Sequence, residues 1–438
     1  MNPSPPSSSV DRGGPRWRRF ARATALALAV CAPLAVWGPG CLLGGFEQVG
    51  NAPPTDNDAG TDAGSDADVE PTCERVLIPE PPDPSTESAG DQGFVVAFRT
   101  IDLGESPASN PIGFDLDRTC SCQGEGLSCT PLGGEPGLDI NDPFREGVGC
   151  DLGGGVDNAA NSIFSIVRLA SNGDFGSSFY SQQIERGAWS ILLRVSGYNN
   201  SLNDPKVRLD WFIASDFIPP PDPPPDPSIP PAPAWEGADR WSVQSDNVMG
   251  GDVNAPAYSD ELAYVADGVL VGAVPSLPIR LGDPGAANGG SPDDMGATME
   301  LTLSGAFIVA ELGFVPPSTD FVITKGRVAG RIGLKDVFRG IGSYRDSDQQ
   351  PYCKDSPFYG TAKSQLCAAA DMHLIPAGRT VPCDALSLGI AFTAVKVQAI
   401  MDVAEPSLPP AASCDPGEDP AEDCCLKPGE TICPVASP

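Results

Sequence analysis

Fourteen cysteines constrain this chain more than any other feature, because they bear both on where it can fold and on which parts must lie together. Two of them, Cys31 and Cys41, fall in or just after an N-terminal apolar run, which leaves twelve disulfide candidates: Cys73, Cys120, Cys122, Cys129, Cys150, Cys353, Cys367, Cys383, Cys414, Cys424, Cys425 and Cys433. An even number can pair completely, as an oxidising compartment favours. Five of the twelve precede residue 151 and seven follow residue 352. Both sets are odd, so full pairing predicts at least one bridge between the halves and hence a single body. Zinc is a poor alternative: Cys120-Ser121-Cys122 and Cys424-Cys425 lack C-x-x-C spacing, and His373 is the sole histidine.

The N-terminus predicts export. Arg12, Arg16, Arg18, Arg19 and Arg22 lead into "ATALALAVCAPLAVW", an apolar run of 15 residues that is interrupted by Pro33 and too short to span a bilayer comfortably. Small residues then precede a cysteine in "GPGC", as in a bacterial lipobox, although Gly38 and Pro39 replace the usual residues. The expectation is a signal peptide over 1–40 and lipidation of Cys41, with plain secretion as the alternative.

With 58 acidic against 27 basic residues the chain carries a net charge of −31 and no basic stripe, which excludes nucleic acid as a partner. Residues 41–72 contain no Lys or Arg and include "TDNDAGTDAGSDAD", a tract that cannot bury enough apolar surface to fold. Residues 41–90 are therefore expected to be a disordered acidic spacer that holds the folded part away from a membrane.

From residue 91 short apolar runs rich in β-branched and aromatic residues read as strands: "GFVVAFRTIDL", "WSILLRVSGY", "VRLDWFIASDF", "LAYVADGVLVGAV", "ATMELTLSGAFIVAELGFV", "GRVAGRIG" and "SLGIAFTAVKVQAI". Apolar faces predict short helices at 159–170, with Asp157 as N-cap, at 334–341, and at 361–372. The expected fold is mainly β, a disulfide-stapled, jelly-roll-like β-sandwich with two or three short helices. Its body covers 91–403, interrupted by the proline-rich segment 218–235, and residues 404–438 form a Cys-rich tail.

No catalytic constellation emerges from these residues, and the chain is expected not to be an enzyme. "ALSLG" at 385–389 has the A-x-S-x-G form of a nucleophile elbow, but the histidine of such a triad follows its serine, whereas His373 precedes Ser387. "GGGVDN" at 153–158 has no strand before it and no Lys after it, and reads as a turn rather than a phosphate loop. Asp115 and Asp117 in "GFDLDRTCSC", and Asp139, Asn141 and Asp142 in "GLDINDP", are weak candidate calcium ligands, oxygen donors on loops. Calcium is the one cofactor this admits. Trp189, Trp211, Trp235, Trp241, Tyr258 and Tyr264 are the aromatic candidates for stacking on a sugar.

Two resemblances add to this reading. "RWSVQSDNVMGGDV", residues 240–253, resembles the opening of the galactose-binding-like sandwich of complex I intermediate-associated proteins, and so implies a sandwich. "FDLDRTCSC", "GGGVDNAANSIF", "AYVADGVLVG" and "PCDALSLGIAFTA", with the Asp-Ala-Gly linker, resemble an uncharacterised exported lipoprotein family of myxobacterial (deltaproteobacterial) envelope proteins. That resemblance implies an envelope location, outer membrane-anchored and facing periplasm or exterior, and carries no activity. The expected function is a non-catalytic binding module for a carbohydrate, a peptide or an envelope protein. An extracytoplasmic glycoside hydrolase-like enzyme with paired carboxylates, or a structural envelope component, are the alternatives.

Overall fold

A computed structural model describes residues 73–84, 90–105, 111–132, 139–143, 147, 149–170, 175–219, 232–282, 298–314, 321–344, 350–357, 359–404 and 414–425. These all belong to one compact unit beginning at Ala67. The expected signal peptide, Cys41, and the spacer up to residue 72 lie outside the described residues, as does Cys433.

Alternation of apolar and polar residues produces ten strands: β1 (Gln92–Asp102), β2 (Ser190–Tyr198), β3 (Asp204–Ile218), β4 (Arg240–Gln244), β5 (Tyr258–Ala266), β6 (Val269–Leu281), β7 (Met299–Phe314), β8 (Phe321–Gly333), β9 (Ala385–Val397) and β10 (Ala399–Ala404). They pair in the order β10-β4-β3-β2-β1-β9-β8-β7-β6-β5, and β5 pairs back onto β3. Eight strands thus close into a barrel whose neighbours are all antiparallel. The expected jelly-roll sandwich is therefore corrected to a closed up-and-down barrel. Strand alternation is the same in both; the difference lies in β3, whose 15 residues pair with β2 along one edge and reach two further partners along the other. Its first part pairs with β5, from Asp204↔Val265 to Trp211↔Tyr258, and its last part with β4, from Ala214↔Val243 to Ile218↔Arg240. β4 and its parallel neighbour β10 hang outside the barrel. The stretch expected to open a galactose-binding-like sandwich forms β4 and two 3-10 turns.

An eight-stranded barrel has an interior just wide enough for side chains to fill. Phe98 of β1 stacks on Phe392 of β9 with ring centroids 3.8 Å apart, and meets Trp211 of β3 edge-on at 5.8 Å. Missing side chains make room for large ones. A Cβ on Gly326 would lie 2.3 Å from Cζ of Phe392, and one on Gly272 would lie 2.4 Å from Cδ2 of Leu209. Irregular register in β1, β7 and β8 supplies the bends that closure needs.

The outer faces are covered too. Among the described residues there are four helices rather than two or three: α1 (Ala160–Ala170), α2 (Ser177–Glu185), α3 (Leu334–Ser343) and α4 (Tyr359–Ala368). The unforeseen one, α2 ("SSFYSQQIE"), lies against β1, where Ser177 and Ser181 accept hydrogen bonds from Leu103 N and Ile101 N. α4 stops at Ala368, short of the expected residue 372. Ahead of residue 91, Val76 and Ile78 join Phe114, Val271, Val309 and Ala329 in an apolar layer on the sheet. Among the described residues no helix is long and apolar enough to cross a membrane.

Five disulfides join Cys73–Cys120, Cys122–Cys150, Cys129–Cys383, Cys353–Cys414 and Cys367–Cys425, and Cys424 is also disulfide-bonded. Such a set marks an extracytoplasmic protein. Cys129–Cys383 is the bridge between the halves that the cysteine count requires, across 254 residues. Replacing both cysteines by serine should lower stability to denaturant by about 2–5 kcal/mol, since so long a loop is then free in the unfolded chain. Gly326→Ala should cost about 1–3 kcal/mol by forcing the Phe392 ring aside, read as a lower thermal midpoint.

Candidate functional site

The chain leaves β1 and returns along the outer surface through "IGFDLDR", residues 112–118, before the Gly turn at 153–155 redirects it into α1. Leu152 and Val156 exchange backbone hydrogen bonds across this turn. Gly154 and Gly155 both have positive φ, 78° and 66°, and a Cβ on Gly155 would stand 2.8 Å from Sγ of Cys120 and 3.4 Å from a carboxylate oxygen of Asp115. The glycines thus permit a left-handed turn that brings Asp157 against Asp115 and Asp117. Each of these three residues offers a carboxylate oxygen within 4.8 Å of the others.

Every carboxylate of the group has one oxygen satisfied. Asp115 takes Arg75 at 2.6 Å, Asp117 accepts from Thr119 N at 2.8 Å, and Asp157 accepts from Leu116 N at 2.6 Å. The other oxygens, Oδ1 of Asp115, Oδ2 of Asp117 and Oδ1 of Asp157, are buried without a hydrogen-bond partner. Asp157 is 1% exposed and Asp115 is 4% exposed. Burial pushes the Asp157 carboxyl well above the usual range, and its neighbours Asp117, Asp371 and Asp151 push it further. Burial likewise raises Asp117, and lifts Asp151 to about 8. Arg75 is shared with Glu125, and Arg331, which donates to Leu116 O at 2.7 Å and keeps a buried Nε without a hydrogen-bond partner among the described residues, holds the Asp117 carboxyl down together with Ser128, against the larger effect of burial.

Two sequence-level assignments meet here and three do not. Asp115 and Asp117 lie in the cluster, whereas Asp139, Asn141 and Asp142 form their own exposed turn, in which Asn141 N donates to Asp139 at 3.0 Å. Asp157 does not cap α1 as its position ahead of the helix suggested. Its oxygen turns back to the 116–117 backbone, and Ser387 Oγ accepts from Ala159 N at 2.8 Å instead. Ser387 itself is fully buried in β9 and hydrogen-bonded to Asp371, while His373 points to Gly378 O at 3.3 Å.

A second feature lies on the outer face of β1, β9 and β8. A shallow groove of about 360 Å³ is lined by Thr100, Asp102, Ile112, Lys325, Arg327 and Thr393 among others. The aromatic candidates do not flank it as a flat platform: Trp189, Trp211, Trp235 and Trp241 are all buried, and Tyr258 and Tyr264 are half-buried. Comparison with known proteins finds no match, whether to a family model, a curated protein or a solved structure.

Asp371 yields a test of these electrostatics. Burial raises its carboxyl to about 7, against the opposing effect of hydrogen bonds from Ser387, with Asp117 adding to the rise. The folded form therefore keeps a proton that the unfolded chain has released above about pH 4. Its contribution to stability is full below that pH and disappears as pH rises through 7, at no more than about 1.4 kcal/mol per pH unit. Asp371→Asn, which keeps an acceptor and a donor for Ser387, should flatten the fall in denaturation midpoint between pH 4 and 7.

Proposed function

We propose that this chain is exported, held at the bacterial outer membrane by a lipid on Cys41, and serves there as a non-catalytic binding module for an extended peptide or a loop of an envelope protein. The observation that carries this reading is the filled barrel. With Phe98, Trp211 and Phe392 packed across the interior, a ligand is taken on the outer surface. The groove sets Lys325 and Arg327 of β8 and Asp102, Thr100 and Thr393 of β1 and β9 around an apolar floor that includes Pro111, Ile112 and Ala391, a composition suited to an extended peptide with apolar and acidic side chains. Burial of the four tryptophans named above argues against stacking on a sugar. Burial also argues against hydrolysis by paired carboxylates, since the clustered aspartates are closed off from a substrate as large as a glycan.

Peptide and glycan arrays probed with the oxidised protein, made soluble by Cys41→Ser, should give peptide signals. Lys325→Gln combined with Arg327→Gln should weaken them at least about ten-fold, because rim charges steer and hold a charged partner, with the thermal midpoint lowered only slightly by loss of the Lys325–Glu311 and Arg327–Phe114 contacts. Glycan binding without peptide binding would overturn the choice of ligand. In cells, Cys41→Ser should move the protein from the membrane to the soluble fraction.

A further inference from the structure

Gathering three carboxylates, two of them on buried residues, is costly unless their charge is compensated, and each leaves a buried oxygen without a hydrogen-bond partner among the described residues. We propose that these oxygens, Oδ1 of Asp115, Oδ2 of Asp117 and Oδ1 of Asp157, hold one calcium ion that clamps residues 112–118 to the Gly turn at 153–157. The spacing fits: two oxygens bound to one calcium ion by bonds of about 2.4 Å lie at most about 4.8 Å apart, and one carboxylate oxygen from each of the three residues lies within 4.8 Å of the other two. The opposite oxygen of each carboxylate is fixed by Arg75, Thr119 N or Leu116 N, so the free oxygens are already oriented. This is the second shell that a metal site needs.

The donor set selects a hard cation. All three ligands are carboxylates, the described cysteines around them are oxidised, and His373 bonds elsewhere, which leaves nothing for a soft metal. Magnesium surrenders its waters reluctantly and demands near-ideal octahedral geometry, so a buried, largely dehydrated cluster favours calcium. The ion's charge offsets a local excess that Arg75, shared with Glu125, leaves in place. Its role is structural: residues 112–118 cover β7 and β8 through Phe114, so the clamp fixes that cover. This inference is independent of the ligand reading above.

The test is a thermal melt of the full oxidised chain in chelator, in 2 mM calcium and in 2 mM magnesium. Calcium should raise the midpoint by at least about 3 °C, as ligand that binds only the folded state must, and magnesium by far less. Asp117→Asn with Asp157→Asn should melt at or above the wild type in chelator, having lost repulsion, and gain nothing from calcium. Asp117→Asn alone, at a half-buried position, is the milder variant should the double one not fold. Calorimetric titration of the wild type should show one site with Kd between about 10⁻⁶ and 10⁻⁴ M, as that rise in midpoint requires, and Asp117→Asn should weaken it at least about ten-fold. No calcium shift in the wild type, or the same shift in the variants, overturns the site. An equal rise with magnesium overturns the assignment to calcium.

Discussion

The pairing of β5 back onto β3 decides most of what this molecule can be. Without it the ten strands form an open sheet with two edges, and one long apolar face would have to be covered from outside. With it, eight strands enclose their own apolar face, and the remaining edges move to the short pair β4 and β10. Closure at eight strands leaves a bore that side chains fill, so large residues must meet small ones across it. Phe392 over Gly326 and Leu209 over Gly272 are two such meetings. An interior used in this way confers stability and leaves recognition to the outside.

The outside carries the one arrangement that stability alone does not explain. Like charges at close range repel, and burial strengthens that repulsion, yet Asp115, Asp117 and Asp157 are gathered where the cross-links are dense. Cys73–Cys120 and Cys122–Cys150 both anchor at the segment that follows Asp117, and Cys120 Sγ sits against Gly155. Two disulfides and a left-handed glycine turn together fix a constellation that would otherwise spread apart. The chain thus commits covalent bonds to keeping the carboxylates close, which is the support that the proposed calcium site requires.

How far this was legible in the sequence depends on the range of the interaction. Strands β1 to β3 and β5 to β9 follow from local alternation, and "ADG" between β5 and β6 marks a tight hairpin whose Asp267 and Gly268 both have positive φ. Closure was not legible, because the pairing of Asp204 with Val265 is set by register across 61 residues and leaves no local pattern. α2 was missed because only Tyr180 and Ile184 mark its buried face, too few to read as an apolar stripe, while Ser177 and Ser181 fix it by hydrogen bonds at the end of β1. The Asp115 and Asp117 pair was visible as a short acidic repeat on a loop. Asp157 stood in plain view but under another role, since a residue just ahead of a helix reads as a cap. Only the fold shows it turned towards residues 116 and 117.

The groove and the carboxylate cluster share one piece of backbone. Ile112 lines the groove, Asp115 and Asp117 follow it within five residues, and Ile112 O accepts from the Asn158 side chain next to Asp157. Asn158 also donates to Gly389 O and accepts from Gly389 N, which ties the same segment to β9, whose outer face supplies Thr393 to the groove. A wall of a binding surface is useful only if it does not collapse when its ligand leaves, and loop backbone with few apolar anchors is poorly suited to that. Here the wall is held at one end by hydrogen bonds to a barrel strand and at the other by charges and disulfides. For the proposed peptide ligand, the loop wall of the groove would then be as preformed as its strand floor, which would keep down the ordering cost of binding.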